Sequence, residues 1–119
     1  MANHNELGKK GEQLAVNFLL KNDYKIVAQN YIYQKAEVDI IAQKADVLAV
    51  VEVKTRSSID FGNPQDFLKQ KQIQRIIKAV DVFIMTNNLD VEVRFDIIAI
   101  VKKGEDYSIE HLKNAFYHF

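Results

Sequence analysis

The sequence predicts an α/β fold, a mixed β-sheet flanked by helices on both faces. Three observations carry it. Hydrophobic periodicity along the 119 residues reads helix, strand, strand, strand, helix, strand. The second and third strand segments, Glu37–Ala42 and Val47–Arg56, are rich in Val and Ile and are parted by only a short polar break, as in an antiparallel hairpin. A long amphipathic segment then separates the third strand from the fourth, and a crossover of that kind joins parallel neighbours.

Composition sets the bounds. A chain of 119 residues with 48% hydrophobic and 27% charged content fits one domain, spanning 1–119, around one core. No apolar run approaches the ~20 residues that span a bilayer, so no membrane partner is expected. The N-terminal residues are polar and carry no secretory signal. Cysteine is absent, which excludes disulfides and thiolate sites and fits a cytoplasmic protein. Formal net charge is zero, so the chain as a whole is not a basic nucleic-acid binder. Charge is nevertheless uneven. From Lys54 to Lys78 the cations Lys54, Arg56, Lys69, Lys71, Arg75 and Lys78 face only Asp60 and Asp66.

The first helix is expected from Glu6 to about Asn22, with Leu7, Leu14, Ala15, Phe18 and Leu19 at helical spacing and Asn5 or Asn3 as cap. Gly8 and Gly11 each disfavour that helix by ~1 kcal/mol relative to Ala, which points to close backbone approach. Glu12 borders the buried stripe and reads, from spacing alone, as an exposed helix carboxylate. The first strand runs from Tyr24 to Tyr33. After the charged hairpin and a loop, Asn63-Pro64-Gln65-Asp66 is a helix start: Asn caps, Pro takes the first helical position and Asp favours the positive helix end. This helix should reach about Thr86 and close at Asn87-Asn88. Its apolar stripe is Ile73, Ile76, Ile77, Val80, Phe83 and Ile84. Lys71, Arg75 and Lys78 form a basic stripe, either a solvated face or a phosphate-binding one. Val91–Val101 is the last long strand, with Arg94 and Asp96 placed for a same-face ion pair. A turn at Lys103–Asp106 leads to a short strand, Tyr107–Ile109.

The hairpin carries charge where a strand between helices should be apolar, and a bare buried charge costs several kcal/mol unless compensated. Side chains alternate along a strand, so Glu37, Asp39 and Ile41 share a face, as do Leu48, Val50, Glu52 and Lys54. With Ala45-Asp46 as a two-residue turn, Lys44 faces Val47 and Gln43 faces Leu48. Continued, that register sets Asp39 directly opposite Glu52, with Lys54 one step along the same face. A three-residue loop without a bulge would put the carboxylates on opposite faces. Opposed carboxylates repel, and a divalent cation between them removes the repulsion. All-oxygen ligation completed by water suits Mg²⁺ or Mn²⁺. Metal, water and the Lys54 ammonium together fit phosphodiester hydrolysis.

Asp39, twelve intervening residues and then Glu52-Val53-Lys54 resemble the D…ExK core of the PD-(D/E)xK nuclease superfamily. Val38 stands where its proline would precede Asp. Glu37-Val38-Asp39-Ile40-Ile41-Ala42 with Val51-Glu52-Val53-Lys54-Thr55-Arg56 resembles the YraN-like family of small bacterial proteins, similar in fold to archaeal Holliday-junction resolvases. Ala36 replaces a glycine usual in that family, at the strand entry. Gly11-Glu12…Ala15, Arg94-Phe95-Asp96 and Ile109–Phe116 extend the resemblance over nearly the whole chain. The resemblance implies a restriction-endonuclease-like αβββαβ core. It implies Asp39 and Glu52 as metal ligands, the Val53 carbonyl as a further ligand, and Glu12 as a third carboxylate. Lys54 would hold the attacking water, and Lys71 matches a lysine usual in the family's helix.

The first functional expectation is therefore a Mg²⁺- or Mn²⁺-dependent nuclease acting on DNA, with branched or junction DNA as the class the resolvase likeness suggests. Catalysis would rest on Asp39, Glu52, Lys54 and Glu12. Arg56, Lys71, Arg75 and Lys78 would meet phosphates, and a homodimer would bring two sites to a branched substrate. The competing expectation is a non-catalytic nucleic-acid-binding module with a nuclease-like fold. A third is purely structural, with Glu52 and Lys54 paired to charges on other strands. Asp96 and His111 are read as structural, by an ion pair and by packing or hydrogen bonding.

Overall fold

A computed structural model describes residues 3–57 and 69–115. The elements in chain order are α1 (Asn3–Lys21), β1 (Lys25–Tyr33), β2 (Ala36–Lys44), β3 (Val47–Arg56), α2 (Gln70–Thr86), β4 (Glu92–Lys103) and β5 (Asp106–Leu112). The five strands form one sheet in the order β1-β2-β3-β4-β5. All neighbours are antiparallel except β3 and β4, which run parallel. This is the expected mixed α/β architecture, with α2 in the crossover between the parallel pair.

Alternation along β3 decides which helix covers which face. Leu48 and Val50 join Ile73, Ile76, Val80 and Phe83 of α2 in one core cluster. Ala49 and Val51 join Ala15, Val16 and Leu19 of α1 in the other. The two helices therefore lie on opposite faces, and β3 is apolar on both faces, as a strand covered on each side must be.

The turn between β2 and β3 is as short as its sequence implied. Lys44 pairs with Val47 and Gln43 with Leu48, with Ala45 at φ 55°. The second helix departs from expectation at its start. Lys69 is extended (φ −85°, ψ 156°), so the helix that ends at Thr86 begins at Gln70 and not at Asn63. An extended residue cannot carry the i→i−4 ladder through. The Asn63-Pro64-Gln65-Asp66 signal itself lies outside the described residues. At the other end, the Asn87 backbone N–H and its side-chain amide both donate to Phe83 O, at 3.1 and 2.9 Å, and Asn88 is left-handed at φ 52°. The final strand is longer than the expected Tyr107–Ile109, because Glu110, His111 and Leu112 also pair with β4.

His111 belongs to a polar cluster at the β4–β5 pair. Asp96 is fully buried. Its Oδ1 accepts from Arg94 Nε at 2.9 Å and from Asn114 N–H at 3.0 Å. Its Oδ2 accepts from Arg94 Nη2 at 2.9 Å and from His111 Nε2 at 2.8 Å. A carboxylate only accepts, so Nε2 carries the hydrogen. Arg94 Nη2 also donates to the Tyr24 hydroxyl at 2.5 Å, which ties β4 to the end of α1. Burial alone would raise the Asp96 carboxyl. The bonds from His111, Arg94 and the Asn114 N–H outweigh it and hold the carboxyl below its ordinary value. Arg94 and Asp96 thus form the expected ion pair.

Gly11 and Gly8 divide sharply. A Cβ on Gly11 would collide with the Thr55 side chain at the end of β3, whereas a Cβ on Gly8 meets nothing within 4 Å. Close approach therefore explains Gly11 and not Gly8. Gly11→Ala should destabilise by about 1–3 kcal/mol, and Thr55→Ala in the same chain should recover part of the loss. Gly8→Ala should stabilise by up to ~1 kcal/mol through helix propensity alone. Thermal denaturation of the variants checks both signs. Among the described residues, no helix is long and apolar enough to cross a membrane.

Candidate active site

The β2–β3 ladder is regular from Lys44–Val47 to Ile40–Val51. One step further, at Asp39 and Glu52, side chains take over from backbone. Val53 N–H donates to Asp39 Oδ2 at 2.8 Å, and Asp39 N–H points at Glu52 Oε2 from 3.4 Å. Each carboxylate stands in for a backbone acceptor of its neighbouring strand. The register set by the two-residue turn thus brings the two acids together across the hairpin.

A cavity of about 460 Å³ opens there. Its carboxylates are Glu37, Asp39 and Glu52, and its cations are Lys35, Lys69, Lys71 and Arg75, with Gln72 and Ile76 between them. The floor comes from the hairpin. The basic side comes from the first turns of α2, which dock over that face of the sheet through Ile73 and Ile76.

Electrostatics at the floor are unfavourable to charge. Glu52 is only 4% exposed, and desolvation, then the Asp39 carboxylate, push it from an ordinary 4.5 up to about 8. Asp39 is raised as well, first by desolvation, but its short bond from Val53 N–H opposes this. Glu52 accepts the longer bond from Asp39 N–H, which opposes its rise less than the short bond opposes that of Asp39. Lys54 lies near enough to pull both back toward ionisation. Glu12, on α1, is raised by partial burial and then by Asp39 and Glu37. It therefore senses the same negative cluster from the other side of the sheet, where Gly11 seats the helix against Thr55.

Among the described residues, no three His, Asp or Glu side chains stand close enough to grip a metal ion by themselves. Asp39 and Glu52 nonetheless fit one kind of ion. Mg²⁺ keeps several waters and is usually held by one or two carboxylates together with substrate phosphates. The oxygen-only donors suit Mg²⁺ or Mn²⁺ and offer zinc no nitrogen or sulfur ligand.

The sequence-derived residues distribute as follows. Asp39, Glu52, Lys71 and Arg75 share the cavity, Lys54 and Glu12 act on it through space, and Arg75 and Lys78 line a second cavity beside it. Val53 reaches the site through its N–H rather than through the carbonyl expected as a ligand. Arg56 lines neither cavity; it sits exposed at the end of β3, with Nη1 donating to Thr55 O at 2.9 Å. Lys35, Glu37 and Gln72 were not foreseen as site residues. Glu37 had a signal, two places before Asp39 on the same strand face. Lys35 and Gln72 had none.

A family model described as "Uncharacterised protein family UPF0102" matches residues 11–100. The chain is 60% identical over 123 residues to a UPF0102 protein of Flavobacterium johnsoniae and 58% identical over 119 residues to one of Flavobacterium psychrophilum, with both chains fully covered in each case. A UPF0102 protein of Bacteroides fragilis is 46% identical over 117 residues, covering 98% of this chain and 97% of its own.

Proposed function

The chain belongs to the uncharacterised protein family UPF0102, the YraN-like family, and we propose that it acts as a Mg²⁺- or Mn²⁺-dependent nuclease on DNA. One observation carries the reading: a buried carboxylate, Glu52, and a half-buried one, Asp39, both with raised proton affinity, sit together at the floor of a cavity rimmed by cations. The same sheet has a structural way to bury a carboxylate, and Asp96 exemplifies it, with Arg94, His111 and a backbone N–H satisfying both oxygens. Asp39 and Glu52 are not held in that manner. Their mutual repulsion is a standing cost, which ligand binding can offset.

In this reading Asp39 and Glu52 would hold the cation, with water and substrate phosphate oxygens completing the shell, and Glu12 would act on it through space. When bound, the metal supplies polarisation of the phosphate and activation of the attacking water. Lys54 orients that water by donating to it and offsets charge developing on the phosphate. Lys71 and Arg75 seat the phosphodiester over the carboxylates, with Arg56 and Lys78 contacting the strand further out. The D…ExK likeness supports assignment to the PD-(D/E)xK superfamily, and the resolvase likeness supports branched or junction DNA, engaged by a homodimer with two sites.

Cleavage of labelled single-stranded, duplex, flap and four-way-junction DNA with Mg²⁺ or Mn²⁺ tests the proposal. Wild type should cut at least one form. Asp39→Asn and Lys54→Ala should each lose on the order of a hundredfold to a thousandfold in rate, while gel-shift affinity stays within about twofold. A folded, metal-saturated wild type that cuts none of them overturns the nuclease reading. Binding without cleavage would instead favour the non-catalytic module.

A further inference from the structure

A second cavity, of about 320 Å³, adjoins the carboxylate cavity and shares Lys35, Ala36 and Arg75 with it. Its other lining residues are Tyr33, Gln34 and Lys78. The two cavities differ in sign. Among the described residues the first mixes carboxylates with cations, whereas the second has three cations, one aromatic ring and no carboxylate. Among the described residues, Lys35, Arg75 and Lys78 are in no ion pair. Three cations gathered around one hollow repel one another, and an anion relieves that.

We propose that this second cavity is a nucleotide subsite for a single DNA strand. An unpaired base stacks on Tyr33, and Lys35, Arg75 and Lys78 hold the flanking phosphates. The proposal rests on the reading that the neighbouring carboxylate cavity meets nucleic acid, and it specifies the form of substrate. Three features support it. The volume lies at the small end of ligand cavities, with room for one base and its sugar. Tyr33 ends β1 at a tight hairpin, with Gln34 left-handed at φ 56°, so its backbone is fixed by the sheet. The cations continue those of the first cavity along one helix face. Lys71, Arg75 and Lys78 span about 10 Å of α2, roughly three phosphates at the rise of a stacked strand. A base inside a duplex has both faces covered by its neighbours, so a tyrosine ring can be stacked only by a base that has left the helix. The strand would thus enter the carboxylate cavity from a frayed end, a flap or a junction arm.

The test is fluorescence-anisotropy titration in EDTA, where no cleavage intervenes. Probes are a labelled oligothymidylate and a blunt duplex of equal length. Tyr33→Ala and Tyr33→Leu should weaken oligothymidylate binding roughly tenfold and duplex binding less than twofold. Tyr33→Phe should bind as wild type does. Lys78→Ala should weaken oligothymidylate binding and lower its salt dependence by about 0.7 in the log–log slope. Leu keeps the apolar bulk at position 33, and a circular-dichroism melt identifies any variant that has lost the fold. Wild-type affinity for the oligothymidylate in both Tyr33→Ala and Tyr33→Leu overturns the subsite. If Mg²⁺-dependent cleavage persists in that case, the nuclease reading survives without it. If the Tyr33 effect is present but wild type cuts nothing, the subsite stands and the nuclease reading falls. A wild type that binds neither probe overturns the subsite, and cleavage with Mg²⁺ then decides the nuclease reading separately.

Discussion

Asp96→Ala should cost about 3–5 kcal/mol of folding stability, the usual effect of deleting one partner of a buried ion pair, and lower Tm by roughly 10 °C or more. The truncation strands more than a guanidinium. Arg94, the His111 Nε2 hydrogen and the Asn114 N–H all donate to the two Asp96 oxygens. Each would lose its acceptor, Arg94 keeping only its bond to the Tyr24 hydroxyl among the described residues. The paired change Arg94→Met/Asp96→Leu should lose less than Asp96→Ala alone, because it removes the charge with its partner. Equal losses in the single and paired variants, measured by urea denaturation, would show that packing rather than charge compensation sets the cost.

Glu52→Gln should have the opposite sign at alkaline pH. With its carboxyl raised from 4.5 to about 8, native Glu52 keeps a proton that the unfolded chain has already released. Between those two values each pH unit therefore removes up to about 1.4 kcal/mol of stability. The raised Asp39 carboxyl works in the same direction. Wild type should thus be several kcal/mol less stable at pH 9 than at pH 5, with the loss complete above about 8. Glu52→Gln cannot release that proton and should flatten the profile, so that at pH 9 it melts above wild type by roughly 10 °C. Mg²⁺ or Mn²⁺ should restore wild type at pH 9 and do little for Glu52→Gln. Cation uptake near neutrality should also release protons, visible as buffer-dependent heats in calorimetry. A wild-type Tm that is flat from pH 5 to pH 9 without metal would refute the raised carboxyl.

What the sequence made legible follows from strict local periods. The two-residue break at Ala45-Asp46 fixed the hairpin register, and the register carried Asp39 to Glu52, because a slip of one residue would have turned every side chain over. Arg94 and Asp96, two apart on one strand, were bound to share a face. Gly11 was legible as a close approach, though not its partner Thr55, which comes from a strand far along the chain. What escaped depends on long-range docking. Gln72 came to line a cavity with Lys35, and Arg75 one with Tyr33, only because α2 packs over the β1–β2 hairpin. The extended Lys69 has no glycine or proline to announce it. Arg56, next to the ExK string, looked like a site residue by proximity in sequence, but the strand carries it past the cavity.

Among the described residues β1 and β5 form the two margins of the sheet, and both are poor templates for another chain. In β1 the register shifts between Ile26 and Ala28, and Asn30 is left-handed at φ 52°. No long regular row of free amides and carbonyls is left along that side. On the opposite margin β5 is seven residues long and carries exposed Asp106, Ser108 and Glu110 in alternation. Bulges, short length and outward charge are the devices by which β proteins resist edge-to-edge polymerisation. A chain whose middle strands are so rich in Val and Ile needs that protection, and here the interruptions sit at the rims, where they cost the central strands nothing.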